Sequence, residues 1–305
     1  MDKILTSLSR RQFGIGLTTA MGAAALTSSA SWAASAGGDF GAAVHKVGLA
    51  EQQAVITQRI PMCAGFIKLN VEPSRFLVNI EEAATRFENV LVGFRNGDAD
   101  LELEAETNGE ILESLSAVEA VWPAMRDAVA KIVDSEFVDD ADYETIARAN
   151  SALLFMSENV EKRIVSVYGD SGDHLSVLIA VELAARQEML TQKMSKEITT
   201  IALGYKPVET RKILTETIGL YENSLNALIG GVEALTLPPP PEHIRLALLE
   251  EKSRWSDLSP IMRGIAEGGE AGLLELYSIA SQEEALQEAA KHIEHMYREA
   301  GAAQG

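Results

Sequence analysis

The sequence has one cysteine in 305 residues, Cys63, so no disulfide framework holds it together. Aromatic residues make up only 6% and prolines number 9. With strand-favouring and helix-breaking residues both scarce, the chain leans towards helix. Lysine and arginine number 26 against 45 aspartates and glutamates, a net charge of −19. A surface of that sign repels phosphate backbones and excludes a general nucleic-acid binder. After the first 36 residues there is no apolar run of about 18 residues, the length a membrane helix needs. The nearest, Leu175 to Ala180, meets Glu182 and Arg186 at once. Glycine-rich phosphate loops and a nucleophile elbow are missing too, and no enzyme is expected. What is present is a hydrophobic content of 47%, ordinary for a folded chain and too high for a disordered one.

The N-terminus reads as an address. Ser9-Arg10-Arg11-Gln12-Phe13 precedes an apolar stretch from Gly14 to about Leu26, and Ala34-Ser35-Ala36 offers an A-x-A cleavage site, with Ser31-Trp32-Ala33 as a second. This is the form of a twin-Arg export signal over residues 1–36, and it predicts a periplasmic protein. Cleavage would remove Lys3, Arg10, Arg11 and Asp2, three positive charges and one negative, and take the net charge from −19 to −21.

The remainder repeats itself. With a shift of 134, residues 49–97 fall on 183–231 without a gap, pairing Gln53 with Gln187, Thr57 with Thr191, Gln58 with Gln192, Pro73 with Pro207, Asn89 with Asn223 and Gly97 with Gly231. The shift then becomes 133, and Ile111, Leu115, Trp122 and Ile132 fall on Ile244, Leu248, Trp255 and Ile265. Each repeat carries four apolar lines at helical spacing. The second reads Phe76, Ile80, Ala83, Phe87, Leu91, Phe94, and the fourth Ile146, Ala149, Leu153, Met156, Val160, Val167. Pro73 and Pro207 suit first helical positions, and Asn96-Gly97 and Gly230-Gly231 suit helix ends. The expected architecture is all-α: two tandem up-and-down four-helix bundles, over residues 37–170 and 171–305, joined near Gly169-Asp-Ser-Gly-Asp173.

The first helix of each repeat puts a glutamine on its core line. The lines read Leu49, Gln53, Ile56, Ile60, Ala64, Ile67 and Leu183, Gln187, Leu190, Met194, Ile198, Ile201. A buried amide without a partner is costly, so Gln53 and Gln187 need one. With Thr57, Gln58 and Arg59 in one repeat, and Arg186, Thr191, Gln192 and Lys193 in the other, each repeat gains a cluster of amide, hydroxyl and cation. Such a cluster either fixes helix register or holds a small polar or ionic ligand between helices. Pro61, where the second repeat has Ser195, should bend the first helix beside the cluster.

The run Glu182-Leu-Ala-Ala-Arg186-Gln187-Glu188-Met189-Leu190-Thr191-Gln192-Lys193-Met194-Ser195-Lys196 resembles the signature of the N-terminal sensory domain of type IV pili methyl-accepting chemotaxis transducers, the PilJ type. Ile201-Ala-Leu-Gly204, Pro207 and Tyr221-Glu-Asn-Ser-Leu225 continue the match, and Leu49 to Lys68 is a weaker copy. The resemblance implies extracytoplasmic small-molecule sensing. It also implies kinship with nitrate and nitrite sensor domains, whose bundles bind the anion between the first helices of two protomers. Here Glu188 and Ala54 stand at the position of the anion-binding arginine, so nitrate does not carry over. Because one chain supplies both first helices, the repeats are expected to pair as a pseudo-dimer, with Gln53, Gln187, Thr57 and Thr191 facing across one asymmetric site.

Weaker signals are read as structural. His292 and His295 beside Glu288 fall short of a metal set and are expected at a solvated surface. Glu136 to Asp142 is an acidic loop leading into a helix, and Cys63 is a small core residue. No cofactor is expected. The partners expected are a small polar or ionic ligand and a membrane sensor or chemoreceptor. Two rival readings stand beside this one: a metal- or redox-cofactor-binding bundle, and a ligand-free adaptor docking a membrane receptor.

Overall fold

The computed structural model describes residues 33–168, 175–233 and 237–302. The described residues form eight helices: α1 Ala33–Lys68, α2 Pro73–Asn96, α3 Gly109–Ser135, α4 Asp140–Tyr168, α5 Leu175–Ala202, α6 Pro207–Gly230, α7 Glu242–Ala266 and α8 Leu273–Ala302. The export signal read at residues 1–36 lies outside the described residues, except for its last four, which open α1. The 170/171 boundary and the segment 169–173 also lie outside them.

Helices α1–α4 pack in one antiparallel group, α1 against α2 and α4, and α3 against α2 and α4; helices α5–α8 repeat the same pattern. The details recur at the spacing read in the sequence. Glu72 and Lys206 take left-handed φ of 44° and 42° immediately before Pro73 and Pro207, which open α2 and α6. Gly97 and Gly231, at φ 78° and 73°, close α2 and α6. At Gly231 a Cβ would stand 2.7 Å from Pro239 N and 2.8 Å from Leu237 O, so only glycine fits. An isolated β-bridge follows each glycine, Asp98 with Leu103 and Val232 with Leu237. Trp122 stacks on Phe87 and donates its indole N–H to Glu88; Trp255 packs on Tyr221 and donates to Glu222. Both tryptophans thus pair a buried ring with a satisfied N–H, as buried indoles need.

The apolar lines read in the sequence need correcting at two places. The first helices are not amphipathic in the ordinary sense. From Ala43 to Ile67 almost every side chain of α1 is buried, because α1 carries its own bundle on one side and α5 on the other. In α4 the inner line continues through Ile164, fully buried, while Val167 is only half-buried. The acidic linker between α2 and α3 is also anchored. Glu106 is 4% exposed and accepts from Lys46 of α1 at 2.9 Å, from Tyr168 of α4 at 2.7 Å, and from the N–H groups of Thr107 and Asn108. Among the described residues no helix is long and apolar enough to cross a membrane.

Candidate functional site

The two first helices, α1 and α5, lie packed along one another, so the two bundles meet through the helices that carry the polar clusters. The two helices approach closely at Gly65 and Thr199. A Cβ on Gly65 would stand 2.3 Å from Thr199 Oγ1 and 2.6 Å from its Cβ. These positions are equivalent under the shift of 134, so the axis relating the two halves passes between them.

The seam residues divide into three groups. Gln53 and Gln187 turn into their own bundles: Gln53 Nε2 donates to Phe87 O at 2.9 Å, and Gln187 Nε2 donates to Ser224 Oγ. Thr57 and Thr191 donate to backbone carbonyls of their own helices, Ala54 O and Gln187 O. These four hold helices rather than facing one another across the seam. Gln58 and Gln192, each fully buried, form the second group with Arg59. Gln58 Nε2 donates to Thr57 Oγ1 at 3.0 Å, and its Oε1 accepts from Lys196 Nζ of α5 at 2.7 Å. Lys196 also donates to Asn150 Oδ1 of α4 at 3.2 Å.

Asn150 is explained by Pro61. A proline offers no N–H to the carbonyl four residues back, which here is Thr57 O. Asn150 Nδ2 donates to that carbonyl at 2.5 Å, and α1 runs on through Pro61 to Lys68. Lys196, Gln58, Asn150 and Thr57 O thus form one buried network across three helices. Burial lowers the Lys196 ammonium to about 8 against the opposing pull of Glu197.

The other half of the seam is built differently. Gln192 Nε2 donates to Glu283 Oε1 of α8 at 2.6 Å, and burial pushes the Glu283 carboxyl up to about 7, with Arg59 opposing. Met62 occupies the place equivalent to Lys196, so Gln192 Oε1 has no donor where Gln58 Oε1 has one. Arg59 Nε and Ser195 Oγ are likewise buried without hydrogen-bond partners.

The third group is the rim. Lys193 Nζ donates to Glu197 Oε1 at 2.5 Å and Thr217 Oγ1 at 2.6 Å. With Lys196 it borders a groove of about 380 Å³ between α4, α5 and α6, whose walls include Asn150, Ser151, Phe155 and Ile213. That volume suits a small molecule. Arg186 lies further back on α5, bonded to Glu182. A second groove of about 370 Å³, between α2 and α3, contains none of the seam residues. Sequence reasoning missed Lys196, Asn150, Glu197 and Glu283, the groups that tie the seam glutamines and the rim lysine together.

The side candidates match their structural readings. Cys63 is fully buried and its thiol is pushed up to about 12 by burial. His292, His295 and Glu288 are exposed, and His295 pairs with Glu299 at 3.3 Å. Among the described residues no group of three or more histidine, cysteine, aspartate or glutamate side chains is placed to hold a metal ion.

The two mated first helices carry the buried polar groups, and a groove of small-molecule size opens beside them. Residues 179–276 match the family described as "Type IV pili methyl-accepting chemotaxis transducer N-term", PilJ. The matched segment runs from α5 to the start of α8 and is similar to a PilJ-type domain. No curated protein and no solved structure matches the chain.

Proposed function

We propose that the chain is an extracytoplasmic sensory module that takes a small polar or ionic ligand in the groove between α4, α5 and α6. The change would pass to a membrane-bound chemoreceptor or kinase partner. The observation that carries this reading is the placement of Lys193 and Lys196, both on the signature helix, at the edge of a groove of small-molecule size. A polar ligand competing for Lys196 would loosen its bonds to Gln58 and Asn150. Asn150 in turn holds the carbonyl freed by Pro61, so the ligand would bias how α1 and α5 sit against each other. In this reading Gln58, Arg59, Gln192, Lys193 and Arg186 face or flank the ligand-responsive seam. Gln53, Gln187, Thr57 and Thr191 set the helices that carry it.

The test is a thermal-shift panel of small carboxylates, amino acids, amines and inorganic anions. At least one member should raise Tm saturably. Ser151→Trp, at an exposed position on the groove wall, should abolish that rise while leaving the unliganded Tm within about 1 °C. A panel without a stabilising member, or a rise that survives Ser151→Trp, overturns the reading.

Nitrate at millimolar concentration should leave Tm unchanged. Glu188 stands at the aligned arginine position and accepts from Gln287 Nε2 at 3.0 Å, while Ala54 offers no donor from the other first helix. Saturable stabilisation by nitrate would contradict this.

A further inference from the structure

Two turns before Gln58 on α1 stands a carboxylate with nothing to hold. Glu51 is 5% exposed, and neither of its carboxylate oxygens has a hydrogen-bond partner. It lines a cavity of about 30 Å³ at the α1–α4–α5 junction, together with Glu158 and Glu161 of α4 and Glu182, Arg186 and Met189 of α5. From α8, Glu294 and Arg298 also act on Glu51. The cations of this neighbourhood already have carboxylates of their own. Arg298 is engaged by Glu294 at 3.5 Å and by His45 at 2.9 Å, Lys162 by Glu158 at 3.5 Å and Arg186 by Glu182 at 3.4 Å. Glu51 is left as the carboxylate without a partner, in a place where an unpaired one is most costly.

We propose that this cavity is a binding site for a small ammonium group, either ammonium itself or the head of a primary amine, held by Glu51 together with Glu161. Carboxylates are acceptors only, and an ammonium supplies three or four N–H donors with the opposite charge. The volume suits a group about the size of a water molecule. Among the described residues no group of three or more acidic side chains is placed to hold a metal ion, and two carboxylate acceptors suffice for the directed N–H bonds of an ammonium. Burial raises Glu51 well above the usual carboxylate range, reinforced by Glu161, and raises Glu161 to about 8 and Glu182 above its ordinary value. These carboxyls therefore hold protons near neutral pH, and a bound ammonium displaces one into solvent. This site goes beyond the groove described above and does not depend on it; only Glu158 borders both.

The test titrates the chain at pH 7.5 with methylammonium chloride, and with potassium chloride and tetramethylammonium chloride at equal ionic strength. Methylammonium should raise Tm saturably by several degrees, and the other two salts should not. Calorimetry in two buffers of different ionisation enthalpy should show proton release on methylammonium binding. Glu51→Gln should weaken methylammonium binding by about tenfold or more while leaving Tm at or above that of the parent. If Glu51→Gln does not fold, Glu161→Gln gives the same readout. Equal responses to the three salts, no response to methylammonium, or a response preserved in Glu51→Gln overturns the proposal. None of these outcomes touches the Ser151→Trp result, so the groove and the cavity stand or fall separately.

Discussion

Gly65→Val should destabilise the chain by about 3 kcal/mol, the upper end of the overpacking range, which is on the order of 6 °C in Tm for a chain of this size. The added Cβ would fall 2.3 Å from Thr199 Oγ1 and 2.6 Å from Thr199 Cβ, and Thr199 is fully buried. Neither partner can retreat, since α1 and α5 each carry a bundle behind them. Valine is the informative substitution, because in alanine about 1 kcal/mol of improved helix propensity would offset part of the clash. Thr199→Gly should cost about 1 kcal/mol or more by itself, from propensity and lost packing. Combined with Gly65→Val it should recover most of the loss, because it swaps the two equivalent residues across the axis. Denaturant midpoints of the four proteins measure this coupling. Additive effects, or a Gly65→Val protein within about 0.5 kcal/mol of the parent, would show that the seam is looser than described.

Lowering the pH from 8 to 5.5 should raise Tm, by on the order of 10 °C. Burial pushes the carboxyls of Glu188, Glu251 and Glu283 up to about 7 and that of Glu161 to about 8, and raises that of Glu51 well above the usual carboxylate range. For a carboxyl raised on folding, the folded state holds the proton more tightly than the unfolded chain does. The stability it contributes is fully present below the unfolded value near 4.5 and is lost as pH rises through the folded value. One unit corresponds to about 1.4 kcal/mol, so each of these groups accounts for at most about 3 kcal/mol across the window, and several act together. Below the window the sign reverses, because Asp140 and Glu242, held low by Lys68 and Arg245, lose their partners on protonation. Above pH 8 Lys196, lowered to about 8 by burial, works in the opposite sense to the raised carboxyls.

Glu251→Gln isolates one of these groups. Glu251 is fully buried, and its Oε1 accepts from Tyr221 OH at 2.8 Å, a bond that glutamine can keep. The variant should melt higher than the parent at pH 8 and close to it at pH 5.5. A parent Tm that falls between pH 8 and pH 5.5 would refute the pH assignment outright.

The helices were legible because each of six of them shows one face to a core and the other to water. Spacing alone then gives the line, as in Phe76 to Phe94 or Ile111 to Ile132. Glycine and proline punctuation placed the ends of α2 and α6. The site was harder to read because α1 and α5 have no wet face. Periodicity picks out one line of residues and is blind to a second buried face, so nothing in it marks Glu51 as buried. Gln53 and Gln187 were marked correctly as buried, but the direction of an amide depends on partners from other helices, here Phe87 O and Ser224. Asn150 was within reach of the sequence. A proline inside a helix always leaves one carbonyl in need of a donor, and Pro61 fixes which carbonyl that is. Only the fold says which side chain arrives.

The pairing of α1 with α5 has a kinetic consequence. Two separate subunits that share a seam are held by mass action, and dilution dissolves them. Here six residues separate Tyr168 from Leu175, so the two faces remain at a fixed local concentration of about millimolar or above, whatever the bulk amount. Seam formation is then first order. A response that depends on it would have the same midpoint at a few molecules per compartment as at thousands, and the abundance of the protein would set how loud the response is without changing where it begins.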